Sequence, residues 1–256
     1  MEDTPLGFLN PNVKKDIVLV LLNQDWSSGL EKALFQQRFD LLWKKACFKA
    51  SVDGGTNILH NMNETLSVQQ KLIPDMISGD FDSVTTDLLE YYKNLGTEIC
   101  PTPDQDYTDF TKCVAILGNK YKSGQIPKVM KLVVSLLGTT DRFDHCMANI
   151  NTLYTARDSL PHDVITCLLF GDSYVRLLPT GKSVLHVNTG FEGSWCSFTP
   201  LTGPAVVTTS GLTDNLSKAC LRFDLVDKLR HELDGSGTLT VQTDCPIVFT
   251  LSILTT

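Results

Sequence analysis

The run Asp16-Ile17-Val18-Leu19-Val20-Leu21-Leu22 is the clearest indication of fold class in this chain. It is apolar from Ile17 onward and ends at the polar pair Asn23-Gln24. A continuous apolar run of this length is typical of a strand buried on both faces, and such strands belong to parallel sheets. Helical spacing of apolar residues follows over about 29–46, and a short strand, Phe48-Lys49-Ala50-Ser51-Val52, comes next.

Strands and helices continue to alternate through the first two thirds of the chain, which predicts an α/β fold with a mainly parallel sheet. We expect strands to end near Ile77, Cys100 and Leu137, and helices over about 85–95, over 109–117 and up to Ala156.

From about Asp172 the pattern changes to short strand-like runs separated by Gly and Pro. These runs cover 174–178, 183–187, 195–198, 205–209, 237–241 and 247–251. They are typical of an all-β sandwich, and only the interval over about 216–233 interrupts them. We therefore predict an α/β domain over residues 1–172 and a β-sandwich domain over residues 173–256.

Composition limits the classes of function. The 256 residues are 42% hydrophobic, which is enough to bury a substantial core. The net charge of -7 argues against a general binder of nucleic acid or of membrane surfaces. The first residues lack the features of a secretory signal, and no apolar run reaches the roughly 20 residues of a membrane span. We expect a soluble, cytoplasmic protein.

Two acidic loops about twenty residues apart carry the strongest chemical signal. They read Ser78-Gly79-Asp80-Phe81-Asp82-Ser83 and Thr102-Pro103-Asp104-Gln105-Asp106-Tyr107-Thr108-Asp109. Carboxylates packed this densely suit Mg²⁺, which prefers hard oxygen ligands and commonly accompanies phosphates. Either loop alone is more typical of an ordinary turn, because Gly, Asp, Ser and Pro favour turns for conformational reasons.

The position of these loops favours the functional interpretation. Asp53, Asp80, Asp104 and Gly138 all follow predicted strands, so they fall at the same edge of one sheet, where open α/β folds place their ligands. Carboxylates there would hold Mg²⁺ against phosphate oxygens, and a cation such as Arg142 or Lys112 would offset charge that develops during transfer. The sequence has no G-x-x-x-x-G-K-[ST] motif, which argues against a P-loop enzyme.

Several motifs together resemble eukaryotic thiamine pyrophosphokinases, in the same order along nearly the whole chain. The N-terminal stretches are 52–57, 78–83, 102–113 and 142–145, and the C-terminal stretches are 178–182, 190–196, 208–212 and 234–237.

The resemblance implies an ATP-binding α/β domain, a thiamine-binding β-sandwich and a homodimer with sites between subunits. It also implies the reaction: ATP would donate its terminal pyrophosphoryl group to the hydroxyl of thiamine, giving thiamine diphosphate and AMP. Mg²⁺ is the implied cofactor, thiamine and ATP are the implied partners, and neither nucleic acid nor membrane is implied.

The resemblance also assigns residues by position. Asp80, Asp82 and Asp109 are the expected Mg²⁺ ligands and, with Asp106, the catalytic set. The carboxylate of Asp106 would either orient or deprotonate the alcohol or bind the metal. The further expected binding residues are Asp53, Ser83, Gln105, Thr108, Lys112, Arg142, Asp144, Asp214, Asn215 and Ser217.

Three short segments depart from the family pattern. Asp214 stands where the family has a Trp in W-N-L-[ST], so stacking on thiamine, worth on the order of 1 kcal/mol, would be lost. Arg230-His231 replaces a Ser-Asn pair, and we interpret this segment as an amphipathic helix or solvated loop. Thr140-Asp141 replaces a glycine pair, and Asp141 would repel phosphate.

These departures leave two alternatives to an active thiamine pyrophosphokinase. One is a catalytically silent relative that keeps affinity for nucleotide or thiamine. The other is a Mg²⁺-dependent transferase that acts on another alcohol.

Overall fold

The structure is a computed structural model that describes residues 1–13, 16–23, 29–64, 66–137, 142–225 and 229–254. In chain order the strands are β1 (Glu2–Asp3), β2 (Ile17–Leu21), β3 (Ala46–Val52), β4 (Met76–Gly79), β5 (Glu98–Pro101), β6 (Leu132–Leu137), β7 (Ile165–Phe170), β8 (Ser173–Leu178), β9 (Gly181–His186), β10 (Glu192–Thr199), β11 (Ala205–Ser210), β12 (Ala219–Leu221), β13 (His231–Glu232), β14 (Thr238–Thr243) and β15 (Ile247–Ile253). The α-helices are α1 (Gly29–Lys45), α2 (Gly55–Glu64), α3 (Thr86–Asn94), α4 (Asp109–Ser123) and α5 (Phe143–Ser159).

The chain divides into two compact units. One is Lys15–Gly171, and the other combines Met1–Lys14 with Asp172–Thr256. We call them the α/β unit and the β unit.

The α/β unit is built on a parallel sheet with the strand order β7-β6-β2-β3-β4-β5. All five residues of β2 are buried, as expected for a central strand covered on both faces. The chain runs outward from β2 to β5 and then returns to place β6 on the other side of β2. The connections after β2 and β6 therefore diverge, which leaves a crevice at the carboxyl ends of these strands.

The short helix α2 follows β3 directly, a feature that the sequence analysis did not foresee. A Cβ atom at Gly55 would lie 2.5 Å from the carbonyl oxygen of Leu21, so the helix approaches β2 too closely for a side chain at this position. Strand β7 was also not foreseen.

The β unit contains two sheets, with the orders β1-β9-β14-β11-β12 and β13-β10-β15-β8. Every neighbouring pair is antiparallel except β1 and β9. Alternate residues are buried along β8 and β14, as Leu239 and Val241 are in β14. This alternation is what two packed antiparallel sheets require, and the predicted class, α/β followed by a β-sandwich, is confirmed.

The first residues differ from their expected place, because they belong to the β unit and not to the α/β unit. Strand β1 pairs with β9, and Leu6 and Phe8 are fully buried. Asp3 forms an ion pair of 2.7 Å with Arg176, whose side chain is fully buried. A two-residue strand has no periodicity of its own, so the sequence offered no signal for this placement.

The interpretation of Arg230-His231 as a helix or solvated loop is wrong for His231. This residue lies in strand β13, where it pairs with Cys196, and it is only 4% exposed. Its ring centroid lies 5.5 Å from that of Phe198. Arg230 is exposed, and its guanidinium lies 4.7 Å from the ring centroid of Trp195.

Among the described residues, no helix combines the length and the apolar character that crossing a membrane would require.

Candidate active site

A cavity of about 510 Å³ opens at the carboxyl edge of the parallel sheet. Its walls come from the ends of β2 and β3, the loops after β4 and β5, the first turn of α4 and the start of α5. The sequence-predicted residues that line it are Asp53, Asp80, Asp82, Ser83, Gln105, Asp106, Thr108, Asp109, Lys112 and Arg142.

Three carboxylates form a cluster in this cavity. One carboxylate oxygen from each of Asp53, Asp80 and Asp109 lies within 4.8 Å of the other two. The cluster differs from the predicted Mg²⁺ ligands in containing Asp53 instead of Asp82. Asp82 lies at the edge of the cluster, exposed, and its backbone N–H donates to Oδ1 of Asp80 over 3.3 Å.

Asp53 is the buried member of the cluster, at 7% exposure. Its φ of 42° is unusual for a residue with a side chain. The backbone N–H of Ser83 donates to its Oδ1 over 3.4 Å. Burial nevertheless raises the pKa of the Asp53 carboxyl, because the charged form loses its hydration.

The close approach of two strand ends positions Asp53. A Cβ atom at Gly79, where φ is 154°, would lie 2.9 Å from Cβ of Asp53. Glycine at the end of β4 therefore allows the loop that carries Asp80 to pass beside Asp53.

Asp80 is held by the second acidic loop. The side-chain amide of Gln105 donates to Oδ2 of Asp80 over 2.8 Å, and this bond lowers the pKa of the Asp80 carboxyl. Gln105 thus connects the loop after β5 to the loop after β4.

Asp109 occupies the first turn of α4. Thr108 is the N-cap, and its hydroxyl accepts a hydrogen bond from the backbone N–H of Thr111 over 3.3 Å. A carboxylate in a first turn is favoured by the positive end of the helix dipole. Lys112, one turn later, forms an ion pair of 2.8 Å with Asp109.

Arg142 and Asp144 form an exposed pair beside the cavity. Arg142 donates from Nη2 over 2.5 Å and from Nε over 3.1 Å to the two oxygens of Asp144. The bonds from Arg142 lower the pKa of the Asp144 carboxyl. Asp141 and the rest of loop 138–141 lie outside the described residues, so the predicted repulsion of phosphate at Asp141 stays a prediction.

Comparisons with known proteins identify the family of this chain. The family model described as "Thiamin pyrophosphokinase, catalytic domain" matches residues 39–164, and the model "Thiamin pyrophosphokinase, vitamin B1 binding domain" matches residues 182–227. Thiamine pyrophosphokinase 3 of Oryza sativa subsp. japonica is 34% identical over 224 residues, which cover 83% of this chain and 81% of that protein. The chain belongs to the thiamin pyrophosphokinase family.

Two further members of the thiamin pyrophosphokinase family are similar to this chain, one in sequence and one in fold. Thiamine pyrophosphokinase 1 of Arabidopsis thaliana is 32% identical over 223 residues, covering 83% of this chain and 80% of that protein. The solved thiamin pyrophosphokinase from Candida albicans is similar in fold, with a TM-score of 0.79 and 22% identity, and the match covers 99% of this chain and 92% of that one.

The three residues predicted to meet thiamine lie in the β unit, in the connection between β11 and β12. Asp214, Asn215 and Ser217 are all exposed. Asn215 orders this connection, since its Oδ1 accepts from the backbone N–H of Leu212 over 3.1 Å and its Nδ2 donates to the carbonyl of Leu212 over 3.0 Å. The roles of these residues toward thiamine remain predictions.

Some cavity residues were not singled out as site residues from the sequence. Asn23 follows β2, so its position at a strand end was a usable signal. Asn149 lies about one turn after His145 on α5, so the helical repeat places both residues on the face of α5 that lines the cavity. Tyr107 lies within the second acidic loop and is 59% exposed.

Proposed function

We propose that the chain is an ATP-dependent diphosphotransferase that converts thiamine to thiamine diphosphate. ATP donates its terminal pyrophosphoryl group to the hydroxyl of thiamine, and AMP leaves. The observation that carries this proposal is the cluster of Asp53, Asp80 and Asp109 at the carboxyl edge of the sheet, in a member of the thiamin pyrophosphokinase family.

The cluster fits Mg²⁺. Its donors are hard carboxylate oxygens, and a cation among them would stabilise the charged form of Asp53, which burial disfavours. We propose Asp53, Asp80 and Asp109 as the holding residues, with Asp82 at the edge of the site. When bound, Mg²⁺ neutralises charge on phosphate oxygens of the transferred group and of the departing AMP.

The reaction has a simple balance of bonds. The thiamine oxygen forms a bond to the β-phosphorus, the bond from that phosphorus to the bridging oxygen breaks, and the electron pair leaves with AMP. We assign the proton of the attacking hydroxyl to the carboxylate of Asp106, which is exposed and lines the cavity. The backbone N–H of Asp106 donates to Oδ1 of Asp104 over 2.8 Å, which orders this part of the loop.

Charge also suits the two substrates. Thiamine carries a permanent positive charge, which the acidic wall of the cavity favours. Arg142 is an exposed cation at the cavity and can face the phosphates of ATP.

We also propose a homodimer and a cytoplasmic location, as in the family pattern given above. Light scattering after size exclusion tests the dimer, and cell fractionation tests the location.

A second candidate function is a catalytically silent relative that binds thiamine or nucleotide. Asp214 favours it, because a carboxylate does not provide the stacking surface of the Trp that the family pattern has at this position. A transferase for another alcohol is favoured by the same residue.

An assay of AMP release from Mg-ATP separates these functions. Release that depends on thiamine, with thiamine diphosphate as the product, supports the first proposal. Binding of thiamine or ATP in calorimetry without turnover supports the silent relative. Turnover only with a different alcohol supports the third possibility and contradicts the proposed acceptor.

A further inference from the structure

Lys112 lines the cavity, but its ammonium group is directed into the protein. Its Nζ lies 2.8 Å from Oδ1 of Asp109, 2.8 Å from the carbonyl oxygen of Thr102 and 2.7 Å from the carbonyl oxygen of Asp104. Two of the three N–H groups of the ammonium donate hydrogen bonds to these carbonyls, and the carboxylate of Asp109 is its ion-pair partner. The side chain is only 9% exposed.

This geometry does not suit the role that the sequence suggested. A lysine that offsets charge on a transferring phosphate must direct an N–H toward a phosphate oxygen. In the structure the ammonium of Lys112 already donates to two carbonyl oxygens and is paired with the carboxylate of Asp109. Breaking one of these bonds at a nearly buried ammonium would be costly.

We propose that Lys112 is a positioning residue, which fixes Asp109 and the loop 102–108 in the arrangement that binds a divalent cation. The inference deepens the proposed function and rests on it for the identity of the reaction. It requires that Lys112 acts through Asp109 and the loop, without contact to a phosphate.

The contacts of Asp109 show how this positioning works. The ammonium of Lys112 and the backbone N–H of Asp80 both bind Oδ1 of Asp109. These two contacts fix the Asp109 carboxylate between α4 and the loop after β4. The two carbonyls that Lys112 holds, at Thr102 and Asp104, flank the stretch leading to Gln105, which donates to Asp80.

A role of Lys112 through charge alone and a positioning role predict opposite changes in metal affinity when Lys112 is replaced. A positive ammonium near the cluster repels a divalent cation, so removing it would tighten metal binding if Lys112 acted only through its charge. A positioning role predicts weaker binding after removal, because Asp109 and Gln105 lose their fixed places. The sign of the change therefore distinguishes the two roles.

The test is the affinity of nucleotide-free protein for Mn²⁺, measured by calorimetry, in Lys112→Met. We expect the dissociation constant to rise at least about tenfold, the scale on which residues that orient metal ligands act. Affinity equal to or tighter than that of the parent, with weaker binding of ATP, would show that Lys112 contacts phosphate and would overturn the inference.

Lys120→Met is the matched control. Lys120 lies on the same helix, is similarly buried, and binds Glu98 over 2.5 Å and Gln125 over 3.0 Å, away from the cluster. The substitution Lys120→Met removes a buried ammonium from α4 without changing the contacts of Asp109. The Mn²⁺ affinity of this variant should therefore equal that of the parent. A matching loss of affinity in Lys120→Met would contradict the inference, because the effect would then be a general one on helix α4.

Lys112→Arg keeps the test decisive if the Met variant folds poorly. A guanidinium keeps the charge and binds phosphates well, but its planar fork does not fit three oxygens placed around a compact ammonium. We expect weaker Mn²⁺ binding here too, and parental affinity would overturn the inference. Because Mn²⁺ binding is measured without substrates, failure of thiamine-dependent AMP release would contradict the proposed function alone.

Discussion

The backbone N–H of Asp80 donates a hydrogen bond to Oδ1 of Asp109 over 3.2 Å. This bond joins the loop after β4 to the first turn of α4, so two carboxylates that are 29 positions apart in sequence share one site. A parallel sheet makes this possible because the carboxyl ends of its strands meet at one edge.

Replacing either partner tests the metal site directly. Asp80→Asn and Asp109→Asn each remove one anionic ligand and should lower turnover at least about tenfold through weaker metal binding. Thiamine-dependent AMP release over a range of Mg²⁺ concentrations measures the effect, and high Mg²⁺ should restore part of the rate. Parental rates in both variants would exclude these residues from the metal site.

The choice between Asp53 and Asp82 as the third ligand gives a second prediction. Asp53→Asn should weaken Mn²⁺ binding to nucleotide-free protein by at least about tenfold, whereas Asp82→Asn should change it less. The reason is that Asp53, and not Asp82, lies in the cluster with Asp80 and Asp109. If calorimetry shows that Asp82→Asn weakens Mn²⁺ binding more than Asp53→Asn does, the ligands are Asp80, Asp82 and Asp109, as predicted from the sequence.

Asp53→Asn should also change how stability depends on pH. Burial raises the folded-state pKa of Asp53 above its ordinary value of 3.8. Ionisation is therefore easier in the unfolded state, and this group lowers stability as pH rises from the unfolded to the folded pKa. The metal-free Asp53→Asn variant cannot ionise at this position, so its stability should not fall in this way. We expect it to have a larger free energy of unfolding than the parent at neutral pH, measured by urea unfolding. A less stable variant at neutral pH would contradict the argument.

Much of this site was predictable because it depends on strand ends. The apolar run of β2 and the alternation of strands and helices predicted a parallel sheet, and the strand ends then placed Asp53, Asp80 and Asp104 at one edge. The resemblance to a known family added Asp109. That Asp53 rather than Asp82 joins Asp80 and Asp109 was not predictable, because it depends on the positive φ at Asp53 and on the glycine at position 79. Such local geometry has no periodic signal in sequence.

The placement of the first residues and of His231 failed for a different reason. Both belong to two-residue strands whose positions are fixed by distant partners, β9 for the first and β10 for the second. Contacts between residues far apart in sequence decide such elements, and local propensity does not.

The ion pair between Asp3 and Arg176 provides a test of this N-terminal placement. Arg176 is fully buried and Asp3 is 20% exposed, so Asp3→Ala should lower the free energy of unfolding by on the order of 3 kcal/mol, because it leaves a buried charge without its carboxylate. Asp224→Ala is the control, because the Arg222–Asp224 pair is 45% and 66% exposed, so solvent screens it and its loss should lower the free energy of unfolding far less. Urea unfolding of both variants measures the difference. Equal effects would show that the first residues do not pack as described.

Asp214 allows a test of the acceptor. Asp214 is exposed in the connection that Asn215 orders through Leu212, so a larger side chain can be introduced without disturbing a packed core. Asp214→Trp restores the ring of the family pattern, and its stacking on the thiamine ring should tighten thiamine binding by on the order of 1 kcal/mol, or about fivefold. Calorimetry with thiamine measures this, and Asp214→Leu controls for the loss of charge and the gain of apolar surface. If Trp and Leu give the same affinity as the parent, residue 214 does not contact thiamine, and the acceptor must be recognised elsewhere.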